Sequence, residues 1–247
     1  GGNFMNIGAF LDIDGTLYRN SLMIQHFKKM IKYEVIDPVV WHDKVKRTYD
    51  KWRTRSGSYE DYLEELAEIY INELKGLKIA DLDFVNDQVI KLSGDIVYRY
   101  TRYIINCHLK KNHKVFFISG SPEFLVKKMA EKYRVTDFQG SKYILDDNGL
   151  FTGKVIKMWK SNNKEKVLDK FVRKYNINLK ESFSYGDTQG DFSMFKMTGN
   201  PFAFNPNKEL IRAIKQDKKL KNKTTIIIER KDNIYKIKPD IEIINIK

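Results

Sequence analysis

Short apolar runs alternate with longer amphipathic stretches along this chain, and the two periods predict a sheet with helices on its faces. Ile7 to Leu11 is an apolar run of strand length, ended by Asp12-Ile13-Asp14-Gly15-Thr16. Val115 to Ile118 is a second, ended by Ser119-Gly120-Ser121-Pro122. Phe183 to Tyr185 is a third, ended by Gly186-Asp187-Thr188-Gln189-Gly190-Asp191. A helical stripe follows each of the later two: Phe124, Leu125, Met129 and Ala130, then Phe192, Met194 and Phe195. Ser121 reads as the N-cap of the first of these helices and Pro122 as its first-turn residue. Strand followed by helix, repeated, is the pattern of an α/β fold with a Rossmann-like parallel sheet flanked by helices.

Between the first and second strand tips only helical period is present. Leu22, Met23, Phe27, Met30 and Ile31 form one stripe. Asp37-Pro38 reads as an N-cap with Pro in the first turn, ahead of Trp41, Val45, Tyr49 and Trp52. Ser58-Tyr59-Glu60-Asp61 resembles a capping box ahead of Tyr62, Leu63, Leu66 and Ile69, and Gly76 reads as the stop. Phe84, Val85 and Val89 form a further stripe, and Ile96 to Leu109 returns the chain to the sheet. The expectation is an inserted helical cap, residues 20–92, over a core built from residues 1–19 and 93–247. Further on, Lys142 to Leu145 and Leu150 to Lys154, joined by Asp147-Asn148-Gly149, read as a hairpin. Ser161-Asn162-Asn163-Lys164 opens a helix with Val167, Leu168, Phe171 and Val172 on its apolar face. Lys208 to Lys215 reads as a helix, then a Lys-rich loop, then strands at Thr224–Glu229 and Ile234–Ile237 extending the sheet edge. Gly1 and Gly2, ahead of Met5, read as a remnant of cloning.

The strand tips carry candidate chemistry. Side chains alternate along a strand, so Asp12 and Asp14 lean to one side of the first tip. Two like charges that close call for a cation, a shared proton or a phosphoryl group between them. One can attack while the other moves protons. Alone, the segment is either such a site or a strand running into an Asp-Gly turn with solvated acids. Ser119 and Gly120, ahead of a helix N-terminus, are either an anion site or an ordinary turn. Lys164 stands in a first helical turn, where anions are preferred; it either neutralises a bound anion or is a solvated charge. Asp187 and Asp191 add two carboxylates at the third tip. Together these elements converge on the crevice outside the carboxyl ends of the strands, where open α/β sheets bind ligands. Four carboxylates there need a divalent cation, and an all-oxygen set suits Mg²⁺. Lys164 and the amides around Gly120 suit phosphate oxygens.

The ordered set Asp12-Ile13-Asp14-Gly15-Thr16, Ser119, Lys164 and Asp187-Thr188-Gln189-Gly190-Asp191 resembles the four motifs of the haloacid dehalogenase superfamily, across residues 10–206. Ile118 to Phe124, Asp187 to Phe195 and Ala203 to Pro206 resemble its phosphoserine phosphatase-like branch, subfamily IB. The resemblance implies a haloacid dehalogenase-like core with a cap at the first cap position. It also implies a Mg²⁺-dependent phosphatase that hydrolyses a small phosphorylated metabolite through an aspartyl-phosphate. In that scheme Asp12 is the nucleophile and Asp14 the acid and base. Ser119 and the Gly120 amide bind phosphoryl oxygens, and Lys164 offsets their charge. Mg²⁺ is held by Asp12, the Asp14 backbone carbonyl and Asp187, with Asp191 orienting a metal-bound water. Asp14 favours a phosphatase, because the dehalogenases and ion-pumping ATPases of the superfamily lack an acid at that place. Two alternatives stay open: a phosphotransferase with the same intermediate, and a basic nucleic-acid-binding protein with a vestigial site.

Composition narrows the picture. At 247 residues, the chain has room for one α/β core and a smaller module. Its single cysteine, Cys107, excludes an internal disulfide and fits a reducing compartment. No run reaches membrane-spanning length and no secretory signal is visible, so a cytoplasmic protein without a membrane partner is expected. The net charge of +13 either attracts anions or reflects a Lys-rich composition. No basic stripe with interleaved aromatics stands out, so no specific nucleic-acid partner is expected. A positive field would still gather phosphorylated substrates.

The insert bears on specificity. Tyr18, Arg19 and Asn20 follow the first motif and are expected at the mouth. Arg53 and Arg55 either reach a second anionic group or lie solvated on the surface. Trp41, Tyr49, Trp52, Tyr59 and Tyr62 either stack on a base or choline-like group or form the core of the insert. Phosphoserine phosphatases carry a Glu shortly after the first motif and an Arg in the cap; the matching places here hold Ser21 and, on a loose alignment, Glu64. Both departures point away from phosphoserine. His26, His42, His108 and His113 have no ligand spacing and are assigned no metal.

Overall fold

The computed structural model describes residues 5–244, so Gly1 and Gly2 lie outside the described residues. The strands are Gly8–Leu11 (β1), Lys114–Pro122 (β2), Asp137–Leu145 (β3), Phe151–Ile156 (β4), Phe183–Gly186 (β5), Asn200–Phe204 (β6), Thr225–Arg230 (β7) and Asn233–Ile237 (β8). They form one mixed sheet in the order β4-β3-β2-β1-β5-β6-β7-β8. All pairings from β3 to β7 are parallel, and the two edge strands β4 and β8 are antiparallel. The chain moves outward from β1 in both directions, to β2 and to β5. The crevice at their carboxyl ends is therefore the topological switch point of the sheet.

The central strands are predominantly apolar because both faces are covered. Ala9, Leu11, Val115 and Phe117 face one side and pack with Ile105, Leu125, Val126 and Met129 from the helices Arg99–Lys110 (α5) and Glu123–Tyr133 (α6). Phe10, Phe116 and Ile118 face the other. There they meet Val167, Leu168 and Phe171 of Ser161–Tyr175 (α7) and Met194 and Phe195 of Phe192–Met197 (α8). Leu210 and Ile214 of Lys208–Gln216 (α9) and Leu220 of Lys218–Lys223 (α10) complete that layer. Phe116 stacks between Phe10 and Phe171 at 4.9 and 5.0 Å.

The insert after β1 is helical throughout: Leu22–Lys32 (α1), Lys46–Arg53 (α2), Tyr59–Leu74 (α3) and Asp83–Ser93 (α4). Ser21 and Ser58 cap α1 and α3 by accepting from Ile24 N and Asp61 N. A π turn at Trp41–Val45 precedes α2, so the Trp41–Val45–Tyr49–Trp52 stripe is not one regular helix. The insert has its own core, with Met23, Phe27, Leu66, Tyr70 and Val85, shared with Tyr143 and Phe151 of the β3–β4 hairpin. That hairpin braces the insert through backbone bonds Gly76 N to Phe151 O at 2.8 Å and Phe151 N to Leu77 O at 3.0 Å. Leu22 and Val89 reach into the sheet's core, so α1 and α4 are the rooted helices. The two stems meet where Arg19 N donates to Ile96 O and Tyr98 N to Leu17 O.

Three local expectations need correction. Ser121 does not cap α6: β2 runs on to Pro122, and the Ser121 hydroxyl is bound elsewhere. The Lys-rich stretch after α9 is not a loop but α10, because Asp217 accepts from Lys219 N and Leu220 N and starts a new turn. Tyr18 does not line a mouth: it is fully buried in the core under the stems. Among the described residues, no helix is long and apolar enough to cross a membrane.

The tail strand β7 also serves a distant helix. Glu229 accepts from Arg99 N at 3.0 Å and Tyr100 N at 2.9 Å, so it caps α5 from 130 residues away. The α5 N-cap residue Tyr98 supplies no such bond itself, and the first turn has no acid. Glu229→Ala is expected to lower stability by about 1–2 kcal/mol, the usual worth of an N-cap. Chemical denaturation checks this; a midpoint equal to that of the parent chain overturns the assignment.

Candidate active site

Gly15, in the turn after β1, has φ +79°, a left-handed conformation that suits glycine. A Cβ there would lie 2.1 Å from Asp187 Oδ2, so only glycine lets the first and last motifs close on each other. Thr16 then donates to Asp187 Oδ1 at 2.9 Å. Gly186 meets the same demand on the neighbouring strand, since its Cβ would lie 2.4 Å from Asp191.

Lys164 is the centre of the cluster. α7 delivers it from its first turn, and it is 2% exposed. Its ammonium lies 2.6 Å from Asp191 Oδ1 and 3.2 Å from Asp12 Oδ1. Asp191 Oδ2 accepts from the backbone N–H groups of Asp187 and Thr188 at 3.0 and 3.1 Å, closing a capping box with Thr188. Carboxylate oxygens of Asp12, Asp187 and Asp191 all lie within 4.8 Å of one another. The ammonium is the near neighbour of Asp12 Oδ1, which is buried and has no hydrogen-bond partner.

Asp14 has hydrogen-bond partners of its own. Ser121 Oγ donates to its Oδ2 at 2.6 Å and Leu22 N to its Oδ1 at 3.1 Å. Ser119 lies fully buried on the neighbouring strand, and its Oγ accepts from Ser121 N at 3.3 Å. Gly120 sits beside it, where a Cβ would press on Trp159 Cβ at 3.1 Å.

Burial dominates the electrostatics. It pushes the Asp12 carboxyl up to about 7; Lys164 pulls down, while Asp191 and Asp14 push up further. Burial also raises Asp14, against the hydrogen bonds from Ser121, Leu22 and Ser21. Asp187 is raised well above the usual carboxylate range by burial and then by the Asp12 and Asp191 charges. Burial alone would lower Lys164, but Asp12 and Asp191 more than offset it, and the ammonium stays charged. These directions agree: desolvation outweighs one neighbouring cation for Asp12, whereas Lys164 answers to two carboxylates.

The structure thus brings together Asp12, Asp14, Ser119, Gly120, Lys164, Asp187 and Asp191. It does not bring all of the expected specificity residues with them. Arg19 and Asn20 are exposed, with the Arg19 guanidinium 5.7 Å over the Tyr98 ring. Arg53 and Arg55 are exposed at the far end of α2. Sequence reading missed Ser121 as the partner of Asp14, Trp159 as the wall beside Gly120, and Asn207. Asn207 donates its backbone N–H to Asp187 O at 2.8 Å. Its place after Asn205-Pro206 is a visible signal; nothing in the sequence marks Trp159.

A fold, a crevice and a motif order of this kind define a class of hydrolase. The haloacid dehalogenase-like hydrolase family model matches residues 9–196, and the chain belongs to that family. It is 31% identical over 123 residues to the phosphoserine phosphatase of Methanocaldococcus jannaschii, covering 49% of this chain and 53% of that protein. It is 23% identical over 207 residues to the inhibition of morphological differentiation protein of Streptomyces azureus, covering 83% of this chain and 73% of that one. The chain spans between 45% and 73% of the length of the curated relatives it matches. A phosphoserine phosphatase solved as a phospho-aspartyl intermediate analogue shares the fold, with TM-score 0.59, 23% identity and coverage of 93% and 96%.

The raised carboxyls set a pH dependence. Native Asp12, Asp14 and Asp187 hold protons that the unfolded chain has already released. Between about pH 4 and about pH 7, rising pH therefore removes stability from the chelator-treated protein at this site. A divalent cation competes with those protons, so the melting-temperature gain from saturating Mg²⁺ is expected to grow from about pH 5 to about pH 8. Thermal melts with Mg²⁺ and with chelator across that range check the sign; a gain that shrinks with pH overturns it.

Proposed function

We propose that this protein is a Mg²⁺-dependent phosphomonoesterase acting on a small phosphorylated metabolite through an aspartyl-phosphate on Asp12. The observation that carries the reading is that two acids from one motif have different partners. Asp12 joins the Lys164–Asp191 cluster, whereas Asp14 is held by Ser121 and Leu22 N. Acids with different surroundings take different roles.

The residues fit a hard divalent cation. Asp12, Asp187 and Asp191 offer oxygen only, and Lys164 balances one of their three charges. Asp12, Asp187 and the Asp14 backbone carbonyl would hold Mg²⁺, with Asp191 orienting a bound water. When bound, the ion supplies positive charge beside the phosphoryl oxygens.

The chain's own groups do the rest. Asp12 attacks phosphorus as the ester P–O bond breaks, and Asp14 gives its proton to the leaving alkoxide. Burial keeps Asp14 protonated to higher pH than a free carboxyl, which suits the acid step. Asp14 then takes a proton from the water that attacks the aspartyl-phosphate, which releases phosphate and restores Asp12. Ser119 and the Gly120 N–H bind phosphoryl oxygens, and Lys164 offsets their charge. Residues 20–92 act as a cap over a core of residues 1–19 and 93–247. Two relatives are named phosphoserine phosphatases, yet Ser21 is spent capping α1 and Glu64 is an exposed acid. The substrate is accordingly a phosphomonoester other than phosphoserine.

Chelator should abolish phosphate release and Mg²⁺ should restore it; full turnover in metal-free buffer refutes the metal's role. Asp12→Asn should remove turnover and the acid-labile phosphoenzyme together. Asp14→Asn should slow turnover about 10²-fold or more with alkyl esters and less with activated ones, the range of general acid–base catalysis. Equal losses on both kinds of ester would deny Asp14 the proton-transfer role. Phosphorylated alcohol products in the presence of competing alcohols would identify a phosphotransferase instead.

A further inference from the structure

We propose that the first turn of α3 reads the leaving group, with Tyr59 as the side chain that meets it and a Glu60–Asn207 contact holding Tyr59 in place. This inference rests on the phosphomonoesterase reading and adds the class of alcohol it accepts: one with a planar or apolar face.

Asn207 joins three elements. Its backbone N–H is bound to Asp187 O, and its Oδ1 accepts from Leu210 N to cap α9. Its Nδ2 donates to Glu60 Oε1 at 3.4 Å. The second residue of α3 is thereby tied to the loop that is itself bonded to Asp187. Tyr59 is the residue before it, and it keeps 36% of its surface exposed. Burial raises its phenol above the usual range, and the charges of Asp14 and Asp187 act on it in the same direction.

Behind Tyr59 stands a continuous aromatic wall. Its ring lies 5.3 Å from Trp52 and 6.2 Å from Tyr62, and Trp52 stacks on Tyr62 at 5.5 Å and 5°. Tyr49 and Trp41 extend the wall, with the Lys28 ammonium over their faces at the far end. Packed rings in this arrangement hold Tyr59 rigidly and present it to a flat partner. Trp159, which packs against the insert's hydrophobic cluster, lies against Gly120 and Gly190. Ser21 is buried as a helix cap, so no carboxylate stands at its place to meet an ammonium. The walls favour apolar contact over ion pairing.

The test compares substrates of matched reactivity. Benzyl phosphate and ethyl phosphate both release an alkoxide, so the chemical step does not separate them. The full-length protein should turn over benzyl phosphate with kcat/KM about tenfold or more above ethyl phosphate, the worth of one aromatic contact. Tyr59→Ala should bring the ratio close to one, and Tyr59→Phe should retain it. Glu60→Ala and Asn207→Ser should each lower the ratio about twofold to fivefold, the worth of one exposed hydrogen bond. Serine keeps the cap on α9, and the double variant should be no worse than either single one, because both remove the same contact. Equal kcat/KM for the two esters, a ratio unmoved by Tyr59→Ala, or phosphoserine as the best substrate overturns the inference. Benzylphosphonate, which cannot be hydrolysed, gives a readout without turnover. Tyr59-dependent binding of benzylphosphonate by a protein that hydrolyses no ester would support this inference and refute the hydrolase reading. Binding that is indifferent to Tyr59→Ala would refute the inference alone.

Discussion

A buried ammonium among carboxylates is the constraint on which the rest of this structure depends. Lys164 is held at 2.6 and 3.2 Å from two acids, with a third carboxylate in reach of both. Removing such groups from water costs several kcal/mol per ion, and the pair recovers that only with close geometry and further hydrogen bonds. The geometry is supplied by the backbone. Asp191 is fixed by two N–H groups of its own turn, and Asp187 by Thr16. One positive charge still faces three negative ones. The deficit of two is a site in need of a divalent cation, and the raised carboxyls of Asp12 and Asp187 express the same deficit as a tendency to hold protons. A divalent cation bound there would compete with protons for one set of oxygens.

That constraint also explains where the sheet tolerates no side chain. Gly15 and Gly186 lie where a Cβ would run into Asp187 and Asp191. Both acids follow β5: Asp187 closes on the turn after β1 at Gly15, and Asp191 folds back on Gly186 at the end of its own strand. The apolar layers then do more than exclude water. Phe10, Phe116 and Phe171 fix the relative height of β1, β2 and α7, and hence of Asp12, Ser119 and Lys164. Preorganised charge of this kind is what phosphoryl transfer needs, since there is little covalent work for the protein beyond the nucleophile.

The legible stretches of the sequence are those with a local cause. The runs ending at Leu11, Ile118 and Tyr185 are strands because buried parallel strands are predominantly apolar, with buried Ser184 satisfied by Thr198. The Asp12, Lys164 and Asp187 motifs stand out because charge at a strand tip or first helical turn is locally unfavourable. The illegible stretches have causes distant in sequence. Ser121 has the local pattern of a helix cap, yet its hydroxyl is taken by Asp14, 107 residues away. Glu229 reads as one more acid in an edge strand, yet it caps a helix 130 residues earlier. Tyr18 follows the catalytic motif directly, but the pairing of the two stems of the insert turns it into the core. The Lys-rich segment becomes α10 through Asp217, a capping signal present in the sequence but masked by the surrounding charges.

Two classes of contact divide the molecule by what they must survive. The contacts around Lys164 are buried and short, so they keep their geometry throughout a reaction that shifts charge by whole units. The contact from α3 to the strand-tip loop is a single long hydrogen bond between exposed groups, Glu60 and Asn207 at 3.4 Å. A bond of that kind adds at most about 1 kcal/mol net. It can position a helix turn and still open at little cost. A buried ion pair in the same place would cost too much to open, because separation would strand an uncompensated charge. The buried charges therefore sit at the tips of the sheet, whereas the aromatic cluster of α2 and α3 belongs to the insert. The aromatic packing of α2 and α3 keeps that region internally stiff, and the C-terminal half of α3 is anchored on the β3–β4 hairpin through Leu66, Tyr70 and the backbone bond of Gly76 to Phe151.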